Sequence, residues 1–326
     1  MDRVLVTGGT GIVGGAIAAA LVARGRSVRA LVRSIERGRR LLPRGCELVL
    51  GDVTEPATLR PALDGVRVVF HAAGLPEQWL VDPATFTHVN VGGTRNMVAA
   101  ALAAGVERVV YTSTIDVFAS RPGEEFDERE LATTPQPTAY ERSKQEADRV
   151  VTAALDRGLR AVFLHPSAVY GPTHAASPGL NDLVAQLVRG EVPMLLPGGM
   201  PVVFAADVAA GHLLAEERAP VGGRYILSES YQTLVAIAEA VARRVPGAKV
   251  PRVMPGFAAH LVARAGELVA RLTGRRPLIP RGQLVFLESE RRPAADRARA
   301  ELGWTPLPFA EGLDRTLPFV TGRREA

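Results

Sequence analysis

The stretch Thr7-Gly8-Gly9-Thr10-Gly11-Ile12-Val13-Gly14 decides the fold, because it joins a short apolar run to a longer amphipathic one. Both a G-x-G-x-x-G and a T-G-x-x-G-x-x-G spacing are present in it, between a strand-like and a helix-like segment. Glycines there let the backbone turn tightly and approach a pyrophosphate, whose charge meets the N–H groups of the helix start. The segment therefore predicts a dinucleotide-binding loop whose cofactor contacts run from Gly8 to Gly14, with a purely structural glycine turn as the alternative.

Short apolar runs continue to alternate with amphipathic ones through the first half of the chain. The strand-like runs are Arg3–Thr7, Val28–Val32, Glu47–Leu50, Val66–Phe70, Arg108–Thr112 and Arg160–Leu164. The helix-like segments are Gly11–Arg24, Pro56–Leu63, Phe86–Ala104 and Tyr140–Arg157. This alternation predicts an α/β fold with a doubly wound parallel sheet of the Rossmann type. Ligands of such sheets bind at the carboxyl ends of the strands.

After Gly171 the alternation loosens, and Pro and Gly are scattered through the chain as far as Pro201. Helical patterns return at Leu234–Arg244 and from Phe257 to about Leu272. We therefore expect residues 1–171 to form the dinucleotide-binding domain, with part of 202–230 returning to it. Residues 172–326 are expected to form mainly a smaller C-terminal substrate-binding lobe that covers the mouth of the sheet.

Composition excludes several classes of protein. The chain has 326 residues with 47% hydrophobic residues and a net charge of +5, and its arginines are interleaved with acids, so a nucleic-acid partner is not expected. Cys46 is the single cysteine, which rules out an internal disulfide framework, and no Cys/His spacing predicts a metal site. No signal peptide or membrane span is visible, so a cytoplasmic protein is expected.

A cation stands at the end of the second predicted strand, in Leu31-Val32-Arg33. Sites that prefer NAD usually carry an acid there for the ribose hydroxyls, whereas arginine suits the 2′-phosphate of NADP. Arg37, Arg39 and Arg40 follow and could enlarge the positive patch, although a solvated basic face is the alternative reading. We therefore expect NADP as the cofactor, with NAD as the alternative.

Tyr140-Glu141-Arg142-Ser143-Lys144 carries the second motif. Its i, i+4 spacing places the phenol and the ammonium on one helix face, and Thr138 with Glu141 has the spacing of a capping box. A phenol with a pKa near 10 is a poor acid or base at neutral pH, and a neighbouring cation stabilises its phenolate. Lys144 is one of only two lysines in the chain. A solvated helix pair is the alternative interpretation of the motif.

These motifs resemble the extended short-chain dehydrogenase/reductase family, and the resemblance covers nearly the whole chain. Within that family the sequence is most similar to dihydroflavonol reductases, 3β-hydroxysteroid dehydrogenases and hopanoid-associated sugar epimerases. Besides the glycine and tyrosine motifs, the resemblance rests on Gly51-Asp52, His71-Ala72-Ala73-Gly74, Asn90-Val91-Gly92-Gly93-Thr94, Tyr111-Thr112-Ser113-Thr114 and Pro166-Ser167-Ala168-Val169-Tyr170-Gly171-Pro172.

The resemblance implies that Tyr140 is the acid/base, while Lys144 binds the nicotinamide ribose and lowers the pKa of the tyrosine. The third catalytic residue is implied to be Thr114, with Ser113 as the alternative, because a slip of one residue turns the side chain away. His165 stands where many family members have arginine, and His71 is expected to be structural. The implied cofactor contacts beyond the glycine loop are Arg33, Asp52, Val53, Ala72, Ala73, Gly74, Lys144, Pro166, Ala168 and Val169.

Three hypotheses about function follow. The first is an oxidoreductase that uses NADP and a small-molecule ketone or secondary alcohol. The second is a nucleotide-sugar epimerase or dehydratase that retains its cofactor, and the third is a binding protein that senses NADP without turnover. We expect an apolar substrate, because the segments predicted to cover the site offer few groups that could bind a diphosphate. These segments are Pro76–Leu80 with Trp79, Val192–Pro197, and Leu261 with Val262. The alternative is that their side chains form the core of the smaller lobe. The resemblance leaves a homodimer open.

Overall fold

The computed structural model describes residues 3–76, 79–173, 179–274 and 277–322. The strands of the described residues are β1 (Arg3–Thr7), β2 (Ser27–Val32), β3 (Glu47–Leu50), β4 (Val66–His71), β5 (Arg108–Thr112), β6 (Glu125–Phe126), β7 (Ala161–Pro166), β8 (Ala168–Tyr170), β9 (Gly199–Phe204), β10 (Arg224–Leu227), β11 (Ser230–Thr233) and β12 (Arg292–Pro293). Their α-helices are α1 (Ile12–Ala23), α2 (Ile35–Leu41), α3 (Pro56–Ala62), α4 (Ala84–Phe86), α5 (Gly93–Ala103), α6 (Ala139–Leu155), α7 (Leu180–Arg189), α8 (Ala205–Arg218), α9 (Leu234–Ala242), α10 (Gly256–Thr273), α11 (Arg281–Glu288) and α12 (Phe309–Val320).

Seven parallel strands form the central sheet in the order β10-β7-β5-β4-β1-β2-β3. Helices α1 and α8 cover one face, and α3, α5 and α6 cover the other, so each face buries its own apolar cluster. Such two-sided burial explains why the strands are apolar runs without alternation. The strand order reverses between β1 and β4, and this reversal places the ligand crevice at their carboxyl ends. The predicted doubly wound sheet is confirmed.

The element bounds follow the sequence patterns closely in the first half. Strands β3 and β5 begin and end as the patterns predict, while β7 extends two residues further, to Pro166. The predicted helix Phe86–Ala104 is interrupted, because Thr87–Gly92 forms a π-helical segment before α5. Helix α2 was not expected, since three arginines and a glycine hide its apolar positions.

A third apolar cluster lies under a three-stranded sheet of order β11-β9-β8, which is covered by α7, α9 and α12. Leu195 is fully buried in this cluster. It is therefore part of the lobe's core and not of a wall over the active site, which corrects that part of the expectation for Val192–Pro197. Strand β10, from within 202–230, joins the central sheet as expected, and the boundary at Gly171 stays a prediction.

Candidate functional site

The glycine loop is held in a conformation that larger residues could not adopt. Gly8 has φ +69°, and a Cβ atom there would lie 2.5 Å from the carbonyl oxygen of Ala72. A Cβ atom on Gly14 would lie 2.4 Å from the carbonyl oxygen of Gly8. Gly11 is the N-cap of α1 and is exposed, and the first turn of α1 carries no acidic side chain. Residues Gly8 to Gly14 thus leave the N–H groups of the helix start open to an anion.

The predicted adenine end of the cofactor site lies at the carboxyl ends of β2 and β3. Asp52 Oδ1 accepts hydrogen bonds from the backbone N–H and the hydroxyl of Thr54, both at 2.9 Å. Its Oδ2 lies 4.0 Å from Nε of Arg33, whose side chain is 69% exposed. Val53 is buried, and its side chain approaches Gly93 so closely that a Cβ atom on this glycine would overlap with it. The structure therefore brings Arg33 and Asp52 together, with the guanidinium still free to meet another anion.

His71 ties the glycine loop to the next strand. Its Nδ1 lies 2.7 Å from the Thr7 hydroxyl, and its Nε2 lies 3.3 Å from the Thr94 hydroxyl. The Thr7 hydroxyl also accepts the backbone N–H of Ala73 at 3.2 Å. Burial lowers the pKa of His71 to about 3, so the imidazole is neutral at pH 7. These contacts fix Ala72, Ala73 and Gly74 beside the loop and give His71 a structural place.

The tyrosine motif begins helix α6 as its capping box requires. The backbone N–H of Glu141 donates to the Thr138 hydroxyl at 3.1 Å, and the Glu141 carboxylate accepts the backbone N–H of Thr138 at 2.9 Å. Tyr140 is half-buried, and its ring contacts Phe86 edge-on at 6.1 Å between centroids. The cap therefore fixes the start of the helix and, with it, the direction of the phenol.

Lys144 is buried one turn after Tyr140. Its Nζ donates to the carbonyl oxygen of Thr112 at 3.0 Å, at the end of β5. Burial lowers the pKa of Lys144 to about 8, while the charges of Asp148 and Asp116 oppose that shift. A cation is thus held at the carboxyl end of the central sheet at neutral pH.

Ser113 and Thr114 follow β5, and both side chains are buried. The Ser113 hydroxyl donates to Asp148 Oδ2 at 2.7 Å, and that carboxylate pairs with Arg224 at 2.8 Å. The Thr114 hydroxyl donates to Asp116 Oδ2 at 2.9 Å. Each hydroxyl therefore has its own carboxylate, so the geometry separates the two candidates without assigning the catalytic role to either.

Asp116 belongs to a buried cluster that sequence analysis missed. Arg291 donates to Asp116 Oδ1 at 2.5 Å and to Glu141 Oε1 at 3.0 Å, and all three side chains are nearly solvent-free. Burial and the charge of Asp116 raise the pKa of Glu141, against the opposing charge of Arg291. Because 175 positions separate Arg291 from Asp116, no local pattern could have indicated this contact.

Asn90 is the second residue that the sequence did not place in the site. It lies in the π-helical segment, where its Nδ2 donates to the Ser143 hydroxyl at 2.9 Å and its Oδ1 accepts the N–H of Leu75 at 2.8 Å. Such segments occur often at functional sites, which is the one general signal that points to it. Asn90 fixes the chain after β4 against the face of α6.

The segment after β7 closes the site on the side of the smaller lobe. Pro166 ends β7, and Ala168 and Val169 are half-buried in β8. His165 is fully buried, with Nδ1 3.1 Å from the carbonyl oxygen of Thr114, and burial lowers its pKa to about 3. Its Nε2 lies 3.4 Å from Nη1 of Arg224 on β10, so a guanidinium lies beside the buried imidazole.

The segments expected to cover the site differ in their exposure, and their role as a cover stays a prediction. Trp79 is half-buried and Met194 lies at the surface, whereas Glu77 and Gln78 lie outside the described residues. Leu261 and Val262 of α10 are exposed, Leu261 to 68%. Among the described residues, no group of His, Cys, Asp and Glu could hold a metal ion, and no helix is long and apolar enough to cross a membrane.

Comparisons with known proteins agree with this geometry. The family model "NAD dependent epimerase/dehydratase family" matches residues 4–227. A putative dihydroflavonol 4-reductase of Synechocystis sp. is 31% identical over 93% of this chain and 90% of its own length. A 4-hydroxy-2-methyl-3-oxo-4-farnesyl-3,4-dihydroquinoline-1-oxide ketoreductase of Stigmatella aurantiaca is 33% identical over 96% of this chain and 95% of its own. The solved structure of gox2253 superimposes over 100% of both chains with a TM-score of 0.85 at 32% identity.

The crevice at the switch point, the glycine loop and the Tyr140-Lys144 helix define an enzyme of the extended short-chain dehydrogenase/reductase class. More particularly, the chain belongs to the NAD-dependent epimerase/dehydratase family, whose members use a nicotinamide cofactor. The cradle at Gly8 and Gly14, which a Cβ atom would fill, fits the pyrophosphate of such a cofactor.

Proposed function

We propose that this protein is an NADP-dependent oxidoreductase that interconverts a ketone and a secondary alcohol. The observation that carries the proposal is the position of Lys144, whose ammonium is buried at the end of β5, one helical turn from Tyr140. Burying the ammonium group of a lysine costs desolvation free energy. A role in stabilising a phenolate and in binding the ribose of the cofactor would explain why Lys144 is buried here.

When bound, the cofactor supplies the hydride in ketone reduction and accepts it in alcohol oxidation. Tyr140 donates the phenolic proton to the carbonyl oxygen as that oxygen becomes negative, and the reverse reaction returns the proton. Lys144 stabilises the phenolate that remains. The Thr114 hydroxyl donates to Asp116 Oδ2 and accepts the backbone N–H of Asp116 at 3.4 Å, which leaves one lone pair on its oxygen. That lone pair would accept a hydrogen bond from the phenol or the product alcohol.

Support for NADP comes from the exposed Arg33. Its guanidinium makes only a loose contact of 4.0 Å with Asp52 and keeps donors free for a 2′-phosphate. Helix α2 exposes three further arginines, which would add to the positive potential at this end of the site. They are Arg37, Arg39 and Arg40.

We further propose a largely apolar substrate. The Stigmatella relative is a ketoreductase of a farnesylated dihydroquinoline oxide, so a similar chain acts on a ligand that carries a long apolar group. In this chain, Trp79 is half-buried and Met194 is exposed, so both remain available to line a crevice, whereas Leu195 is buried in the lobe core and Leu196 packs against that core. Few cations border these side chains in the sequence, and a sugar diphosphate needs several.

The decisive experiment removes one oxygen atom. Tyr140→Phe should abolish NADPH oxidation with a panel of apolar ketones while the NADP dissociation constant stays unchanged, because only the proton donor is lost. Tyr225→Phe is the matched control, since the Tyr225 hydroxyl bonds only to Glu301 among the contacts described. Turnover by Tyr140→Phe close to that of the control would remove Tyr140 from the mechanism.

The same panel separates the alternative functions. An epimerase would be purified with retained NAD and would convert a UDP-sugar without net NADPH consumption. A protein that only senses NADP would bind the cofactor and turn over neither class of substrate. Either result would overturn the proposal of a ketone oxidoreductase.

A further inference from the structure

Helix α10 exposes its large apolar side chains to solvent. Phe257 is 80% exposed, Leu261 68% and Leu272 81%. The spacing of 4 and 11 residues between them brings these side chains onto one stripe, since a helix turns once in 3.6 residues. Leu268 falls on the same stripe and is also exposed.

The opposite face of α10 packs on the protein with its smallest residues. Ala259, Ala263 and Ala270 are buried, and Ile279 and Leu284 lie beneath the helix. A helix at the surface of a globular protein normally buries its large apolar residues and exposes small or polar ones. In α10 that arrangement is inverted, so the body of the protein does not account for the apolar stripe.

The stripe lies in the part of the sequence that is richest in exposed large apolar residues. Of the sixteen large hydrophobic residues exposed in the described part of the chain, eight lie between Phe257 and Val285. Single exposed apolar residues are ordinary, but a contiguous group marks a surface that another phase or molecule covers. We call the stripe Phe257, Leu261, Leu268 and Leu272, together with Leu278, the α10 surface.

The same part of the chain carries a surplus of positive charge. Residues 249–288 contain seven basic and two acidic residues, so their surplus of five equals the +5 of the whole chain. Arginines are spread along the sequence, but elsewhere acids balance them in number. The segment around α10 is therefore one of the positively charged stretches of the chain, as is the stretch from Arg24 to Arg44.

Both acids of this segment are already engaged. The Glu267 carboxylate accepts the backbone N–H of Arg281 at 2.9 Å, and Glu288 lies 3.0 Å from Nε2 of His260. Arg264, which lies next to Phe257 and Leu268 around the helix, is exposed and forms no ion pair with any described residue. A positive charge therefore borders the apolar stripe without a partner in the described part of the chain.

We propose that the α10 surface docks this protein onto an anionic phospholipid bilayer, with the helix lying in the interface. An apolar stripe bordered by arginine is the pattern of a helix that buries its apolar face at the headgroup boundary, and anionic lipid attracts the surplus charge. A second copy of this chain would instead bring two positive segments together, which like-charge repulsion opposes. The docking does not depend on the reaction proposed above.

Vesicle sedimentation tests the proposal. The full-length protein should sediment with vesicles of phosphatidylcholine containing about one third phosphatidylglycerol, and binding should fall as salt is raised. Vesicles of phosphatidylcholine alone should bind much less. Equal binding to both vesicles, or binding to neither, would overturn the proposal.

Two sets of variants separate the apolar and the charged contributions. Phe257→Ser with Leu261→Ser and Leu272→Ser should abolish sedimentation, whereas Val81→Ser with Val221→Ser, exposed apolar residues elsewhere, should not change it. Arg264→Gln with Arg281→Gln should weaken binding about 25-fold, from about fivefold for each arginine. Arg157→Gln with Arg160→Gln is the matched control, because both residues are exposed far from α10 in the sequence.

Oligomeric state supplies the competing outcome. If the triple serine variant sediments with vesicles as the wild type does, the α10 surface is not the docking site. If the wild type is a dimer that the triple variant converts to a monomer, a second copy covers this surface and the proposal fails. Circular dichroism and thermal unfolding should show that the serine variants remain folded, since the replaced side chains are exposed.

Discussion

Two neighbouring hydroxyls at the end of β5 meet two buried carboxylate–arginine pairs that differ in balance. Ser113 donates to Asp148, whose single negative charge is matched by the single positive charge of Arg224. Thr114 donates to Asp116, which shares Arg291 with a second carboxylate, Glu141. On the Ser113 side one arginine thus pairs with one carboxylate, and on the Thr114 side one arginine is shared by two, while the charge of the buried Lys144 acts on both Asp148 and Asp116. The Ser113 side is thus a closed ion pair, whereas the Thr114 side has one carboxylate more than its arginine balances, beside the proposed site.

The largest expected effect comes from removing each arginine. Arg291→Met should lower the free energy of unfolding by about 3–5 kcal/mol, because two buried carboxylates lose their partner. Arg224→Met should cost nearer the lower end of that range, since one carboxylate is uncovered and Ser113 still donates to it. Urea unfolding at pH 7 measures both values. Equal losses would remove the distinction between the two sides.

Lowering the pH should rescue the Arg291 variant selectively. Without Arg291, the pKa of Glu141 in the folded protein should rise further above its pKa in the unfolded chain. The Glu141 carboxyl group then destabilises the folded state increasingly as the pH rises above the pKa of the unfolded chain. The stability difference between Arg291→Met and the wild type should therefore shrink between pH 7 and pH 5. A difference that stays constant over this range would contradict the proposed charge imbalance.

The two hydroxyls themselves should differ in their effect on turnover. Thr114→Ala should lower kcat/KM by about 10²–10³-fold, as expected for the loss of a hydrogen bond to the reacting oxygen, and Thr114→Ser should restore most of it. Ser113→Ala should change kcat/KM by less than about threefold and cost about 1–2 kcal/mol of stability. Steady-state kinetics with an apolar ketone measure both. The reverse pattern would assign the catalytic hydroxyl to Ser113.

Lys144 lies near both Asp148 and Asp116, so the pKa of its ammonium group depends on the charges of both carboxylates. The unfolded chain holds this proton up to a pKa near 10.5, whereas the folded protein releases it at about 8. Between these values the unfolded state binds more protons, so raising the pH stabilises the folded state, by up to about 3 kcal/mol in total. The wild type should gain stability relative to Lys144→Met from pH 8 to 10.5. Parallel pH profiles of the two proteins would contradict this pKa.

The smallest expected effect concerns an exposed pair, Arg33 and Asp52, which contrasts with the buried ones. Arg33→Asp should weaken NADP binding relative to NAD by about 1–3 kcal/mol, because a charge-assisted contact with the 2′-phosphate is lost. Its effect on stability should stay below about 1 kcal/mol, as for other surface ion pairs. Calorimetric titration with each cofactor measures the preference, and Arg121→Asp, another exposed arginine, is the control. An unchanged preference would contradict the role of Arg33.

Much of the fold could be predicted from the sequence, because its signals are local. Strands β3 and β5 follow from runs of apolar residues, and the start of α6 follows from the three-residue spacing of Thr138 and Glu141. The glycine loop combines its spacing with the strand before it and the helix after it, so its conformation was also predictable.

The remaining features depend on contacts between distant positions. Nothing near Asp116 in the sequence indicates that Arg291 will reach it, and nothing near Asn90 indicates a π-helical segment. Helix α10 shows a different limit: periodicity predicted the helix, but a helix with apolar residues on two faces does not say which face is buried. The structure places the alanines inward and Leu261 outward, which the pattern alone could not decide.

The pairing of Asp116 with Arg291 also has a consequence for the order in which the newly made chain becomes complete. The ribosome adds the arginine 175 residues after the aspartate, which takes about 9–35 s at 5–20 residues per second. Until then, the carboxylates that follow β5 lack Arg291, and before residue 224 is added the sheet also lacks β10 and its Arg224. A chain stopped before residue 291 would therefore carry the glycine loop, Tyr140 and Lys144 and yet lack a balanced interior, so truncated translation products should be recognised and degraded as unfolded chains.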